Sequence, residues 1–186
     1  MLHSKAARII LVSLLSVALL GLAAVVVLNM RKPEWTMEQF VDKFIEARTQ
    51  FGFVDLNQES NSSPSREDLL AQVKQKGDTV QEQSNVLELH VVQGEGPEVI
   101  ISFSVYRVSD YAQSTFDSTV NLLDQFMLQP HGEKAAVSSA LNAKIVEFPK
   151  VEGSRYAKMF LIGKTILSVS SDDSAIVNSI LAFWGF

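Results

Sequence analysis

The amino-acid sequence predicts an α+β fold: an N-terminal transmembrane helix followed by an antiparallel sheet of about five strands packed with helices. Three observations predict it. Ile9 to Leu28 is an apolar run without a single charge. Past Pro33 the apolar spacing changes from three-and-four to strict alternation, and later returns to three-and-four. The alternating stretches are joined by short, glycine-bearing connections, which favour antiparallel neighbours.

The apolar run is read as a single-pass signal-anchor. At about 1.5 Å per residue, about twenty helical residues match the roughly 30 Å hydrocarbon core of a bilayer. Lys5 and Arg8 bound it on one side, Arg31 and Lys32 on the other. A cleaved signal core is shorter, about 7–15 residues, and here Val25 to Leu28 continue the apolar run past the small cluster Gly21-Leu22-Ala23-Ala24. The expected organisation is therefore a tail and anchor over residues 1–32 and one α+β domain over 33–186. The lipid bilayer is the expected partner of Ile9 to Leu28, and the expected localisation is a membrane, with the domain on the extracytoplasmic side. The short basic tail before an apolar core resembles an export signal, and long domains translocate with little regard to charge.

Pro33 disfavours further helix, and Thr36 then caps a new one, with Gln39 placed to complete a capping box. Phe40, Phe44, Ala47 and Phe51 form its apolar stripe, and Gly52 stops it. Asn57 to Ser65 has no apolar side chain except that of Pro64 and reads as an exposed polar loop containing the sequon Asn61-Ser62-Ser63. Ser65 caps a second helix with Leu69, Leu70 and Val73 on its apolar side, ending at Gly77.

Val86 to Val92 alternates, with Leu87, Leu89 and Val91 on one face and Glu88 and His90 on the other. Val99 to Val108 repeats the pattern, joined by Gly94-Glu95-Gly96-Pro97. A third helix opens at Asp110, with Gln113 returning the cap, a stripe of Ala112, Phe116, Val120, Leu123 and Met127, and an end at Pro130-His131-Gly132. Ala143 to Phe148, Tyr156 to Ile162 and Thr165 to Ser170 read as strands, and Gly163-Lys164 suits a type II′ turn. Ser171, Asp172 and Asp173 open a last helix whose buried side is Ile176, Val177, Ile180, Leu181 and Trp184. The terminal Phe183-Trp184-Gly185-Phe186 is expected to seal the core, because Trp184 continues that stripe.

Charge narrows the function classes. Lys5, Arg8, Arg31 and Lys32 precede Pro33, whereas all 21 acidic residues follow it, so the remainder holds 12 basic against 21 acidic residues, a net −9. Such a domain repels phosphate backbones, which disfavours nucleic-acid partners. The chain has no cysteine, and no serine stands in a Gly-x-Ser-x-Gly elbow. Gly94-Glu95-Gly96 lacks the further glycine and helix start of a phosphate cradle.

Glu88 and His90 share a strand face, but with only His3 and His131 besides, ligands for a metal are short and a cross-strand polar pair is the expectation. Tyr106 and Tyr111, with Arg107 and Tyr156, are candidates for a polar or aromatic binding surface. No cofactor, metal or catalytic residue is expected. The function expected is that of a membrane-anchored, non-catalytic interaction domain of the cell envelope, held near a protein partner by its tether. The alternative is a small-ligand-binding domain, or an enzyme, whose site forms only through the fold.

Overall fold

The computed structural model describes residues 31–56 and 63–186. Its centre is one eight-stranded antiparallel sheet. In chain order the elements are α1 (Met37–Phe51), β1 (Phe53–Asp55), α2 (Arg66–Ala71), β2 (Lys74–Lys76), β3 (Ser84–Gln93), β4 (Val99–Tyr106), α3 (Ser109–Leu123), a π-helical turn (Asp124–Leu128), a 3-10 turn (Gln129–His131), β5 (Ala136–Ala140), β6 (Ala143–Phe148), β7 (Tyr156–Ile162), β8 (Thr165–Ser171) and α4 (Ser174–Phe183). Across the sheet the order is β1-β3-β4-β8-β7-β6-β5, with β2 also paired to β3. The chain therefore leaves the middle of the sheet after β4 and crosses one face as α3. It reaches the far edge at β5 and meanders back until β8 closes against β4.

Each sheet face has its own core. Leu87, Leu89, Ile101, Phe103, Leu167 and Val169 point to one side, where Phe40 and Phe44 of α1, Leu69 of α2 and Val177, Ile180 and Leu181 of α4 cover them. On the other side Ala112 and Phe116 of α3 pack with Val146, Phe148, Met159, Leu161 and Ile166. The apolar residues on both faces of β7 thus have cover on both sides.

Local chemistry explains most boundaries. Thr36 and Gln39 form the full capping box of α1, and Gly52 closes the helix with a left-handed φ of 67°. Asp173 caps α4 by accepting from the Ala175 N–H at 2.8 Å. Between β7 and β8, Gly163 takes a φ of 56°, and no non-glycine residue of the described chain has a positive φ, which matches the signs a type II′ turn needs. The C-terminal aromatics seal the first core. Trp184 meets Trp35 edge-on at 5.8 Å and donates from Nε1 to the Lys43 carbonyl at 3.1 Å, while Phe186 lies between Trp35 and Phe160.

Several expectations need correction. The sheet has eight strands rather than about five. The extra ones, β1, β2 and β5, are three to five residues long and form the sheet margins. Lys74–Lys76 carries no apolar alternation, and backbone pairing with Ser84–Val86 alone makes it a strand. The second helix accordingly stops at Ala71, short of Gly77. α3 starts at Ser109 without a side-chain cap, and Gln113 donates instead to Asp117 at 2.6 Å.

The membrane part of the expected fold class is also corrected. Among the described residues no helix is long and apolar enough to cross a membrane. The longest, α1 and α3, have 15 residues each, about 22 Å, and both spend their apolar side on the sheet. Ile9 to Leu28, on which the single-pass signal-anchor, the bilayer contact and the membrane localisation rested, lies outside the described residues, as does residues 57–62 of the polar loop. The fold that stands is α+β, with helices on an antiparallel sheet.

Candidate ligand-binding site

The face of the sheet beneath α3 is organised in cross-strand rows. Directly opposed residues of antiparallel strands share a face. One row runs His90, Ile100, Ser170, Ala157, Phe148 across five strands, and the next runs Glu88, Ser102, Ser168, Met159, Val146. α3 covers only part of this area. Where it ends, Ser170, Ala157 and Phe148 of the first row and Ser168 and Met159 of the second floor a cavity of about 300 Å³.

The roof is Leu123, Met127 and Leu128, from the end of α3 and the π-helical turn. The end wall is Pro149, Gly153, Ser154 and Arg155, from the β6–β7 connection. That connection is held in shape by Ser154, whose Oγ accepts from the Val151 N–H at 3.0 Å and donates to the Val151 carbonyl at 3.1 Å.

The π-helical turn explains why the roof stands where it does. A regular helix continuing the stripe Ala112, Phe116, Val120, Leu123 would bury Met127 next. The wider turn delays the register, so Leu128 is the buried residue and Met127 stays at the cavity edge. Asp124 pins this geometry by accepting from the Ala135 N–H at 2.8 Å and from Gln129 Nε2 at 3.1 Å. Those bonds hold its carboxyl below the usual carboxylate range, the Ala135 contact most of all. Pro130 lies inside the 3-10 turn that follows, and Gly132, with a left-handed φ of 74°, closes the run.

At the Arg155 end lies a chain of charged groups, in which Glu98, Arg155, Asp172 and Lys150 stand just outside strand ends and His90 and Glu88 lie on β3. Arg155 Nη2 reaches Glu98 Oε2 at 2.5 Å, and the other Glu98 oxygen meets His90 Nδ1 at 2.6 Å. His90 Nε2 lies 3.2 Å from Glu88. Arg155 Nε faces Asp172 at 4.0 Å, and Asp172 also pairs with Lys150 at 2.9 Å. The hydrogen bond that His90 donates to Glu98, outweighing partial burial, raises the His90 pKa. Glu98 is lowered in turn, first by His90 and then by Arg155, and Asp172 is lowered by Lys150. Arg155 Nη1 is enclosed and has no hydrogen-bond partner among the described residues.

The expected pair Glu88 and His90 is brought together, and the fold adds Glu98 and Arg155, which the sequence reading did not single out. Among the described residues no three His, Asp or Glu side chains are arranged to hold a metal. Glu98 is turned toward Arg155 as well as His90, which makes this an ion-pair chain. Tyr106 and Tyr111 are neighbours, with ring centroids 6.1 Å apart, but Tyr106 is buried in the core under α3. Tyr156 belongs to the opposite core, so the four candidate residues do not assemble into one surface.

The cavity itself left one faint sign in the sequence. Ser168 and Ser170 alternate with the buried Leu167 and Val169, a pattern that also fits an ordinary solvated strand face. Arg155 and Glu98 are 57 positions apart, and nothing local announces their meeting.

Compared with known proteins, the chain matches no family model, no curated protein and no solved structure. The expected reading as a membrane-anchored interaction domain is not retained. Its one positive argument was the tether, and no described helix could cross a membrane. The structural observations bear instead on the alternative, a ligand site formed through the fold.

Proposed function

We propose that this protein is a small-ligand-binding domain, and that its ligand occupies the cavity between the β6–β7–β8 floor and the π-helical roof. The observation that carries this reading is the composition of that cavity. Its walls are mostly apolar, from Leu123, Met127, Leu128, Phe148, Pro149 and Met159, while Ser168, Ser170 and Arg155 supply a few polar groups. Pockets for small molecules share this design, with apolar walls for affinity and a few placed polar groups for orientation, and about 300 Å³ is the lower end of their range. The roof adds a second argument, because π-helical turns frequently mark functional sites.

Two methionines on the cavity wall give a direct test. Met127 and Met159 line it, whereas Met37 is buried in the opposite core and serves as an internal control. With ¹³C-labelled methionine methyls in the full chain, a library of small apolar fragments is expected to shift Met127 and Met159 and to leave Met37 in place. Ala157→Phe puts a ring on the cavity floor and should abolish those shifts. A library that moves neither signal refutes the proposal, and so do equal shifts in the filled variant.

A further inference from the structure

We infer that the chain forms a two-fold dimer in which the edge strand β5 of one copy pairs antiparallel with β5 of the other, joining their sheets into one. This inference stands independently of the cavity reading. β5 ends the sheet and has a neighbour, β6, on one side only. The two-residue turn Leu141-Asn142 joins the pair Ala140 and Ala143. Hydrogen-bonded pairs alternate along an antiparallel ladder, so Ala140, Ser138 and Ala136 are the residues that bond to β6. Val137 and Ser139 therefore turn their N–H and C=O groups to the open edge, where no strand meets them among the described residues. The two margins of the sheet are built differently. At the far margin β1 and β2 have three residues each, and β2 carries Lys74 and Lys76. Short strands and lysines keep a free edge from pairing. β5 is longer, and Ala136-Val137-Ser138-Ser139-Ala140 holds no charge and no proline. Val137 and, at the hairpin tip, Leu141 are both 59% exposed.

Symmetry and charge select a second copy as the occupant of this edge. Centred on Ser138, the strand matches itself: Val137 of one copy faces Ser139 of the other, and Ser138 faces Ser138. Each Val137–Ser139 pair then exchanges both of its hydrogen bonds. The small, uncharged side chains meet their own copies without clash or repulsion. The two ends of the strand differ in charge. Arg31 and Lys32 stand at the hairpin tip, because Lys32 donates its N–H to Asn142 Oδ1 and accepts from Asn142 Nδ2, both at 2.8 Å. At the start of the strand stand Asp124, which accepts from the Ala135 N–H, and Glu133, with Lys134 as the only cation beside them in the chain. Lys144 and Glu147 of β6 are already paired, with Asp117 and Lys158. Antiparallel pairing sets the basic tip of each copy against the more acidic start of the other, whereas a parallel arrangement would set like ends together.

The chain has no cysteine, so a single introduced thiol reports the register. At the axis the two Ser138 residues form a non-hydrogen-bonded pair with Cα atoms about 4.5 Å apart, a separation that a disulfide spans. The two Ser139 residues stand diagonally, about 7–8 Å apart, which it does not span. Under mild oxidation of the full chain, Ser138→Cys is expected to form the linked dimer at least about tenfold faster than Ser139→Cys. Sedimentation velocity is expected to show a dimer for the unsubstituted chain. Ser138→Lys sets two ammonium groups against each other at the axis and should weaken that dimer more than about tenfold. An equimolar mixture of Ser138→Lys and Ser138→Glu should restore it. Ser138 is exposed in the single chain, so the circular dichroism of these variants should match that of the unsubstituted protein. A chain that sediments as a monomer overturns the proposal, leaving the edge to solvent or to a strand of another protein. A dimer that Ser138→Lys does not weaken, or thiols that link equally fast at both positions, would place the contact elsewhere and overturn it as well.

Discussion

Replacing Phe40 by alanine tests whether α1 and the sheet form one cooperative core separate from the cavity. Phe40 is fully buried. Its ring stacks on Phe103 at 4.4 Å and 16°, meets Trp184 at 5.9 Å and 69°, and lies 6.3 Å from Trp35. Truncating a buried Phe costs about 3–5 kcal/mol through lost transfer energy and the void left behind. Aromatic pairs add about 0.5–1.5 kcal/mol beyond area, which places Phe40→Ala in the upper half, at about 4–5 kcal/mol. That is a large share of a typical total of about 5–15 kcal/mol.

Urea unfolding followed by circular dichroism reads the change. With a slope of about 2 kcal/mol per molar, the midpoint should fall by about 2 M at unchanged slope. The thermal midpoint should drop by about 8–20 °C. Because Phe40 packs on the face opposite the cavity, the fragment-induced shifts of Met127 and Met159 should persist wherever the variant is folded. A loss below about 1 kcal/mol would refute the packing argument, since only a site that collapses or was never filled behaves so. Loss of the ligand-induced shifts in folded protein would refute the independence of the two faces.

Two further predictions concern other parts of the chain. Gly77 has a φ of 104°, and a Cβ there would come within 2.4 Å of the Glu82 carbonyl oxygen, a backbone atom that cannot swing aside. Gly77→Ala should therefore destabilise by more than about 2 kcal/mol, and an unchanged melting temperature would sink that account. His90 should titrate above its ordinary 6.5, and in Glu98→Gln its imidazole signals should return toward that value. For a raised histidine, the stabilisation is full below the unfolded value of 6.5 and is lost as pH rises through the folded one; for the lowered Glu98, it is full above 4.5 and is lost as pH falls through the folded one. The contribution of the pair is thus greatest between about 4.5 and 6.5, and a His90 titration unaffected by Glu98→Gln would show that Glu98 is not the cause.

The sequence by itself determined the elements whose physics is local. The capping box of Thr36 and Gln39, the stripe of Phe40 and Phe44, the alternation of Leu87, Leu89 and Val91, and the Gly163-Lys164 turn each depend on neighbours within a few positions, so their spacing alone reveals them. From these the α+β class and the antiparallel pairing followed. Tertiary structure decided what depends on distant partners. β2 is a strand because β3 offers it an edge, and the π-helical turn stands where the Ala135 N–H and the Asp124 carboxyl meet. The cavity exists because β8 returns to lie between β4 and β7, setting Ser168 and Ser170 under the end of α3. The Arg155–Glu98 contact joins residues 57 positions apart. A local pattern reports which side of an element is apolar, but the element that covers that side, and the gap left beside it, are set by how the whole chain closes.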